Sequence, residues 1–500
     1  MKKSVKILSL LLALVMCIGI LTACGGDEEE TTVAKNDATQ AETNNSESES
    51  VIETEAKYVP EISVKNYGEQ LYMQYFGYES FYGKFLWIEE SDESLLGEAV
   101  YQRQIDLYEH LGVELIATPT VGFHGYYDPF MTSVKNKDGA VDLFLPNYYL
   151  GVAQMINEGY FYKFNDIPEF NLDAEYWNIG FMDSISIWDD YYLGYGDFNV
   201  MKAYVVTFNK DMLDKYSDSL DETLYESVYN YRWTIDRMIS LANLVYIDAS
   251  ADGKTADDTF GFYAHQWEPF IPFLQASGIK LVDVNDAGEY KVSVMNELNA
   301  YKTSALVDKL KGLAESDCAW LRYKSELDTP DVPLYTGRSL MNLQKTAEID
   351  SLLSYDLRFG VLPYPMYDEN QKDMGYISLN YDSYITLPSY LRNYDMIVES
   401  VELLNYYSAD VRTAVFDKWL GKQAADEPDD AKMLDIVWDG ICSDFGLTFS
   451  TITLELDKNL YMLPTLTEAG TDQAIGSYVA SYTKSANGAI DKYMKKMKMK

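Results

Sequence analysis

The sequence predicts an α/β protein whose body divides into two lobes, and three observations support this prediction. Short apolar strand patterns alternate with amphipathic helix patterns, an order typical of parallel sheets with right-handed crossovers. The body after residue 57 has about 440 residues, more than a single hydrophobic core usually holds. Apolar residues make up 47% of the chain and include 43 Tyr, 20 Phe and 8 Trp, which is enough to fill two cores.

Two strand patterns and one helix pattern open the body. In GEQLYMQYFGYESF, Leu71, Met73 and Tyr75 alternate with their neighbours, which predicts a strand that ends before Gly77. EAVYQRQIDLYEHLG predicts a helix with Gly112 as its C-cap, and VELIATPT then predicts a second strand. The predicted buried face of the helix consists of Tyr101, Ile105, Tyr108 and Leu111.

A third strand pattern, Val141 to Leu145, stops at Pro146 and precedes another helical pattern. Ligands of open parallel sheets bind beyond the carboxyl ends of the strands. This position makes Asn147, Tyr148 and Tyr149 candidate binding residues.

Later segments predict one more strand and two helices. Residues 203–208 form a strand pattern that enters a helix. In RWTIDRM, Thr234 is a predicted N-cap, and Trp233 and Met238 have the spacing of a hydrophobic staple. The segment from Ile475 to Tyr493 has helical spacing and is followed by lysines, which suit a helix C-terminus.

The chain begins with a secretory signal pattern. Three lysines in the first six residues precede the apolar run Ile7 to Leu21, which is short for a membrane-spanning helix. The run ends in Leu-Thr-Ala-Cys24, which resembles the lipobox of bacterial lipoproteins. This resemblance implies that residues 1–23 are removed and that Cys24 carries a diacylglyceryl anchor on the extracellular face of the membrane. The alternative is a secreted protein whose apolar run ends in Cys without lipidation.

The segment after the cysteine is strongly acidic. Residues 25–57 contain ten Asp or Glu, two Lys and no aromatic residue, which predicts a disordered spacer. The whole chain has 79 acidic against 40 basic residues and a net charge of -39. Such a surface repels nucleic acid, so we exclude nucleic-acid binding.

Cysteine usage indicates no disulfide framework and no zinc site. Cys17 lies in the signal pattern and Cys24 is the expected lipid site, so the body holds Cys318 and Cys442 alone. A bridge between these two and a pair of buried free thiols both remain open.

Seven segments stand in a fixed order from about residue 66 to the C-terminus. They are VDLFLPNYYLGVAQMINEGYFYKF, YLGYGDFNVMKAYVVTFNKDML, RWTIDRMISLA, WEPFIPFLQASGIKLVD, YTGRSLMNLQ, RFGVLPYPMYDENQ and ELLNYYSADV. In this order they resemble the family 1 extracellular solute-binding lipoproteins of ABC importers, the class that includes maltodextrin-binding protein.

The resemblance implies a type II periplasmic-binding-protein fold, in which two α/β lobes enclose a ligand cleft. Three crossings between the lobes are expected near residues 191–199, 365–375 and 409–416. Residues 1–23 are then the signal sequence and residues 24–62 the anchor and linker. Lobe 1 is expected to comprise residues 63–195 and 372–412, and lobe 2 residues 199–368 and 415–500.

The same resemblance implies a set of ligand-binding residues. A sugar presents apolar faces and a rim of hydroxyl groups, so its site needs aromatic side chains and paired hydrogen-bonding groups. The maltodextrin-binding protein has a tryptophan-containing segment where this chain has KTAEI, which argues against maltodextrin as the ligand. The implied residues are Tyr75, Phe76, Asn147, Tyr148, Asp197, Asn199, Lys202, Trp267, Gln344 and Lys345.

The segment DASADGKTADDT has part of the pattern of a calcium loop. Asp248, Ser250, Asp252 and Gly253 occupy positions 1, 3, 5 and 6, but position 12 is Thr259 and not the usual Glu. A structural Ca²⁺ site and a polar turn without metal are both compatible with this sequence, and no other cofactor is expected.

The sequence lacks the usual catalytic motifs, which favours a binding protein over an enzyme. The three histidines have no metal-ligand spacing, and the sequence contains no G-x-S-x-G motif or phosphate-binding glycine loop. We therefore expect a monomeric, lipid-anchored protein that captures a carbohydrate, most plausibly an oligosaccharide, and delivers it to ABC permease subunits. The alternatives are a lipid-anchored glycan hydrolase with a carboxylate pair, and a binding protein that serves a sensor kinase or adhesion.

Overall fold

The computed structural model describes residues 58–76, 80–91, 94–120, 127–147, 151–199, 203–251, 253–255, 257–265, 270–322, 333, 336–346, 349–352, 355, 357–372, 383–420, 428–456 and 474–499. The predicted signal sequence, Cys24 and most of the acidic linker lie outside these ranges, so the predictions about them are not tested by the structure.

Lobe 1 is built on a parallel sheet with the strand order β2-β1-β3. The strands are β1 (Glu69–Phe76), β2 (Val113–Thr120) and β3 (Leu143–Leu145). In the central strand, Met73 pairs with Ala117 of β2 and Leu143 of β3, both in parallel register. The predicted parallel sheet is confirmed, although β3 begins two residues later than its sequence pattern.

Helices cover this sheet and follow its strands in the predicted alternation. Ser94 caps the second helix by accepting a hydrogen bond from the backbone N–H of Gly97, and Gly112 ends it in the left-handed conformation at φ 62°. The predicted C-cap is therefore confirmed. The helices of this part are α1 (Ser80–Leu86), α2 (Leu95–Leu111), α3 (Asp128–Asn136), α4 (Val152–Glu158) and α5 (Ile179–Ser184).

The predicted buried face of α2 is wrong apart from Leu111. Tyr108 is 60% exposed, and Tyr101 and Ile105 are half-buried. The buried stripe consists of Leu96, Val100, Arg103, Leu107 and Leu111. A periodicity argument assigns Arg103 to the solvent face, but the fold supplies acceptors for its guanidinium group and so turns this stripe inward.

Lobe 2 contains a five-stranded mixed sheet in the order β10-β4-β9-β5-β8. Strand β4 runs antiparallel to both of its neighbours, whereas β5 is parallel to β8 and β9. A small antiparallel pair, β6 and β7, stands beside it. The strands are β4 (Tyr204–Asn209), β5 (Phe260–His265), β6 (Val282–Val284), β7 (Tyr290–Val292), β8 (Ala319–Arg322), β9 (Ser339–Lys345) and β10 (Phe359–Leu362).

The predicted helix start at Thr234 is confirmed. The Thr234 side chain accepts a hydrogen bond from the backbone N–H of Arg237, and Trp233 and Met238 are both fully buried. The remaining helices are α6 (Lys210–Asp214), α7 (Leu224–Tyr229), α8 (Ile235–Val245), α9 (Ile271–Ala276), α10 (Ala300–Glu315), α11 (Ile349–Leu352), α12 (Tyr394–Tyr406), α13 (Ala409–Leu420), α14 (Pro428–Asp439), α15 (Phe445–Thr448) and α16 (Ile475–Met497).

Within the described ranges, three places show the chain passing between the lobes. Gly194 pairs with Ile385 beside the first sheet, and Ala203 donates a backbone hydrogen bond to Thr346 of lobe 2. The chain leaves β10 in lobe 2 and returns to lobe 1 at Ser383, which pairs with Asn147. Helix α13 then lies against both α2 of lobe 1 and α14, which packs on β10. We call residues 194–199 together with α13 the crossing region.

A second connection between the lobes involves residues 184–188 of lobe 1. The Tyr290 hydroxyl accepts a hydrogen bond from the Trp188 backbone N–H at 3.1 Å and donates one to the Ser186 carbonyl at 3.2 Å. Ser443 donates its backbone N–H to the Ser184 hydroxyl at 3.1 Å. We call this set the 184–188 contact.

Cys318 and Cys442 are both buried and are not disulfide-bonded, so the alternative of a bridge between them is not realised. Within the ranges given above, no helix is long and apolar enough to cross a membrane.

Candidate functional site

Two of the candidate binding residues meet at the carboxyl end of β3. Asn147 is fully buried, and its backbone pairs with Ser383. Asn199 comes from the first crossing and donates its side-chain N–H to the Ser383 carbonyl oxygen. The structure therefore brings Asn147 and Asn199 to one point, although they are separated by about fifty residues in sequence.

Asn199 also has an unused acceptor. Its side chain is 2% exposed, and its Oδ1 atom has no hydrogen-bond partner among the described residues. A buried polar atom without a partner is costly, so this Oδ1 atom is a candidate acceptor for a ligand hydroxyl group.

Ser383 was missed by sequence reasoning. It begins a short extended segment that pairs with β3 through Thr386 and Phe144. The alternation in DSYITLP was the one available signal for this segment, and it carries no information about which strand the segment joins.

Tyr75 and Phe76 end β1, next to β3, but they are packed mainly against the protein. Tyr75 is nearly buried, and a Cβ atom added to Gly83 would lie 2.6 Å from its hydroxyl oxygen, so the ring lies against α1. Burial raises the pKa of Tyr75. Phe76 is partly buried against the core. The aromatic surface that these two residues offer to a ligand is therefore smaller than their sequence positions indicate.

Asp197 holds the crossing region together. Its carboxylate accepts a hydrogen bond from the Arg412 guanidinium group of α13 at 3.1 Å and is 3% exposed. The same guanidinium group lies over the Trp438 ring of α14, 5.2 Å from the ring centre. Asp197 therefore already has a partner within the protein, and a ligand that binds its carboxylate would have to share that carboxylate with Arg412.

Gln344 and Lys345 lie at the carboxyl end of β9 in lobe 2. They pair with Val205 and Tyr204 of β4, and Gln344 is buried. Asn342 lies on the same face of β9 two residues earlier, and its Oδ1 atom has no partner in the described part of the chain. Sequence reasoning missed Asn342, although its spacing of two from Gln344 places it on the same face.

The strand ends of the two lobes lie close to each other. Asn199 contacts Ser383 at the carboxyl end of β3, and Ala203 exchanges hydrogen bonds with Thr346 just beyond β9. Four residues of chain span at most about 14 Å. The carboxyl ends of β3 and β9 therefore lie close to each other, and open α/β sheets bind their ligands beyond such strand ends.

Four other candidate residues lie outside the described residues, namely Tyr148, Tyr149, Lys202 and Trp267, and so does Asp252 of the candidate calcium loop. Their predicted roles are not tested here.

In the described part of the candidate calcium loop, two aspartates accept hydrogen bonds from backbone N–H groups of the loop itself. Asp248 accepts the Gly253 backbone N–H at 3.2 Å. Asp258 accepts those of Thr255 and Ala249 at 2.8 and 3.0 Å, and these bonds hold its pKa below the usual range. These contacts are those of a polar turn, and Ser250 stands on its exposed part. Among the described residues no group of three or more His, Cys, Asp or Glu side chains could hold a metal ion. The calcium site remains a prediction.

No protein-family model and no curated protein sequence matches this chain. Solved structures do match it over most of its length. The galacto-N-biose/lacto-N-biose I-binding protein of the ABC transporter from Bifidobacterium longum, in complex with lacto-N-biose, matches with a TM-score of 0.54 and 12% identity, over 85% of this chain and 97% of that one.

Two further matches have similar quality. The GacH receptor of Streptomyces glaucescens, solved unliganded and with acarbose, matches with a TM-score of 0.50 and 13% identity, over 86% of this chain and 98% of that one. An ABC substrate-binding protein from Listeria monocytogenes, in complex with cycloalternan, gives 0.50 and 13% over 85% and 99%. At these identities the likeness concerns the fold, and the chain has the two-lobed α/β fold of the solute-binding proteins of ABC transporters.

Proposed function

We propose that this protein is an extracellular solute-binding protein, anchored through Cys24, that captures a carbohydrate and delivers it to the permease of an ABC importer. The observation that carries the proposal is the fold, because three structures that share it hold lacto-N-biose, acarbose or cycloalternan. Each of those proteins is a receptor or a binding protein, which supports a binding role and not an enzymatic one for this chain.

Two buried polar side chains, one in each lobe's part of the candidate site, support a polar, hydroxyl-bearing ligand. Asn199 at the first crossing and Asn342 within β9 each have a buried acceptor without a partner among the described residues. A sugar hydroxyl group is both donor and acceptor, so it can satisfy such an atom and at the same time accept from a neighbouring amide.

Binding in a cleft between two lobes works by differential contact. A ligand that touches both lobes stabilises the arrangement in which it touches them, and the crossing region provides the connection about which they move. A bound protein would then differ in shape from the free one, which is what a permease needs in order to select the loaded form.

The first test is a thermal-shift screen of the purified protein against mono- and oligosaccharides, with calcium and with EDTA. A ligand at a hundredfold excess over Kd stabilises its protein by about 2.7 kcal/mol, so a binder gives a clear shift. Chromatography of the sugar afterwards distinguishes the roles: intact sugar supports binding, whereas cleaved sugar would indicate a hydrolase. No shift with any sugar would contradict a carbohydrate ligand.

A variant then tests the site. We expect Asn199→Ala to raise the Kd of the identified sugar by about tenfold or more, since it removes a buried group that pairs with the ligand. The matched control is Asn243→Ala on the exposed surface of α8, which should leave the Kd unchanged. An unchanged Kd in a folded Asn199→Ala protein would remove this residue from the site.

The anchor has its own test. In cells fed labelled palmitate, the wild-type protein should incorporate label and sediment with membranes, because stable anchoring needs about two acyl chains. Cys24→Ser should abolish both properties. Membrane association and labelling that survive this change would contradict a lipid anchor at Cys24.

A further inference from the structure

A cavity of about 420 Å³ lies between helix α4 of lobe 1 and helix α16 at the C-terminal end of the chain. On one side Gln154 and Asn157 of α4 line it, and on the other Lys492, Tyr493 and Lys496 of α16. None of these residues belongs to the candidate binding site at the strand ends.

The walls of the cavity belong to different lobes. Helix α4 follows β3 of the first sheet. Helix α16 is bound to β7 of lobe 2, because Asp491 accepts the Lys291 ammonium group at 2.7 Å and Asn487 accepts the Val292 backbone N–H at 2.8 Å. An occupant of this cavity would therefore touch both lobes.

The Tyr493 hydroxyl group lacks a partner within the protein. The side chain is 5% exposed and lines the cavity, and its hydroxyl oxygen has no hydrogen-bond partner among the described residues. Burial raises the pKa of Tyr493, so the phenol stays protonated and is a hydrogen-bond donor at neutral pH. Buried polar groups are nearly always satisfied, which makes this hydroxyl group an indication of a missing acceptor.

Two lysines of α16 place positive charge in the cavity wall beside Tyr493. Lys492 and Lys496 are one helical turn apart on α16, and in the described part of the chain neither forms an ion pair.

The helix dipole accounts for only part of this pattern. Cations in the last turn of a helix are favourable, which explains Lys495 and Lys496, but the effect fades beyond that turn and does not extend to Lys492 or to the Tyr493 hydroxyl group. Glu158 is the one carboxylate among the described residues of the cavity wall, and it already accepts the Gln154 side-chain N–H at 2.7 Å.

We propose that this cavity binds a small organic anion that carries carboxylate or phosphate groups. The cavity wall has more hydrogen-bond donors than acceptors. Its donors are two ammonium groups, the phenol hydroxyl, the Asn157 amide and the Thr451 hydroxyl, whereas its carboxylate, Glu158, is already engaged. The ligand must therefore be rich in acceptors. The volume lies within the range of about 300 to 1,000 Å³ that is typical of small-molecule sites, which is more than an inorganic ion needs.

The test is isothermal titration calorimetry of the full-length protein with four probes: citrate, glucose 6-phosphate, inorganic phosphate and, as the uncharged control, glucose. We expect citrate or glucose 6-phosphate to bind one to one and more tightly than inorganic phosphate. Lys492→Gln with Lys496→Gln should raise the Kd by about tenfold or more, because two charge-assisted hydrogen bonds are lost. Tyr493→Phe keeps the buried ring and should raise it by about threefold or more.

The matched control is Lys484→Gln with Lys495→Gln. These two lysines are exposed on the same helix and are not part of the cavity wall, so the change in net charge is identical. We expect less than about a twofold change in Kd for this control.

Three results would overturn the proposal. The first is that neither organic anion binds. The second is equal weakening by the two lysine pairs, which would indicate diffuse attraction to the end of α16. The third is inorganic phosphate that binds as tightly as both organic anions, because the organic part of the ligand would then contribute nothing. The cavity wall shares no residue with the proposed sugar site, so a negative result here leaves that proposal unaffected.

Discussion

In the crossing region the two lobes are joined through an ion pair whose carboxylate is buried, whereas in the 184–188 contact they are joined by neutral hydrogen bonds. The crossing region contains the ion pair of Asp197 and Arg412, and the buried Arg103 of α2 packs against it on the Phe198 ring. The 184–188 contact uses the Tyr290 hydroxyl and backbone groups.

This difference in chemistry indicates which of the two connections between the lobes can break and re-form. Arg103 is 1% exposed and has no carboxylate partner among the described residues; its N–H groups donate to Phe85 O, Leu86 O and Ser408 Oγ at 3.0, 2.7 and 2.8 Å. Burial lowers its pKa to about 9. A buried charge must keep its partners in every state of the protein, but a neutral hydrogen bond can be replaced by water at little net cost. The crossing region is therefore suited to a permanent connection and the 184–188 contact to a reversible one.

The largest expected effect comes from Arg103→Ala. This change leaves three buried acceptors without their donor and opens a cavity between α1, α2 and α13, so we expect a loss of about 4 kcal/mol in the free energy of unfolding. Urea denaturation measures it. The matched control is Arg358→Ala, an exposed arginine paired with Asp211 and Asp214, which should cost less than about 1 kcal/mol. Equal losses for the two variants would contradict the special role of the buried charge.

A buried acid next to the 184–188 contact provides a pH test. Asp444 accepts backbone N–H groups from Leu281, Gly446 and Leu447, but its complete burial outweighs these bonds and raises its pKa to about 6. An unfolded Asp loses its proton near pH 4, so between about pH 4 and 6 the folded state binds more protons than the unfolded one. Stability contributed by this group is therefore present at low pH and falls as the pH rises, by about 3 kcal/mol in all.

Unfolding free energies of the wild type and of Asp444→Asn, measured from pH 4 to pH 7, isolate this group. The wild type should lose about 3 kcal/mol relative to the variant across that window. A difference that stays constant or grows in favour of the wild type would mean that the three N–H groups stabilise an ionised carboxylate. The 184–188 contact would then lie beside a buried charge after all, and the comparison would weaken.

Asp197→Asn should have the next largest effect. The amide keeps the shape of the carboxylate but removes its charge from Arg412, which is partly exposed, so we expect a loss of about 2 kcal/mol in the free energy of unfolding. A double-mutant cycle with Arg412→Gln measures the coupling, and a coupling energy near zero would show that this pair does not join the lobes. An unchanged sugar Kd in Asp197→Asn would assign the residue to the crossing region and not to the ligand.

Tyr290→Phe should have the smallest effect. It removes the hydroxyl group that bonds to Trp188 and Ser186 but keeps the ring packed on Phe445, so we expect a loss of about 1 kcal/mol. Tyr301→Phe, at a side chain that is 83% exposed, is the control and should change nothing measurable. A loss as large as that of Arg103→Ala would end the distinction between the two connections.

Local features of the fold could be predicted because they depend on neighbours in sequence. The N-cap at Thr234, the C-cap at Gly112 and the strands at the start of the body follow from short-range hydrogen bonds and from side-chain alternation. The buried face of α2 could not be predicted in the same way. Arg103 is buried because acceptors arrive from Phe85 and from Ser408, and Ser408 lies 305 residues away along the chain.

The residues of the candidate site also fall into those that the sequence could predict and those that it could not. Asn147 follows from its position after a buried strand, which the sequence displays directly. Three other features depend on how distant strands and crossings assemble. Asn199 lies next to Asn147, Ser383 contacts both of them, and Arg412 binds Asp197.

The sequence by itself determined the α/β class, the alternation of strands and helices, the caps and the acidic character of the chain, because each of these is set by residues within one turn or one strand of each other or by composition alone. Tertiary structure alone decided which polar side chains are buried together, because the partners that make burial of Arg103, Asp197 or Asn199 affordable come from distant segments. Burial of a polar group is favourable only where such partners are supplied, and that supply is a property of the assembled lobes.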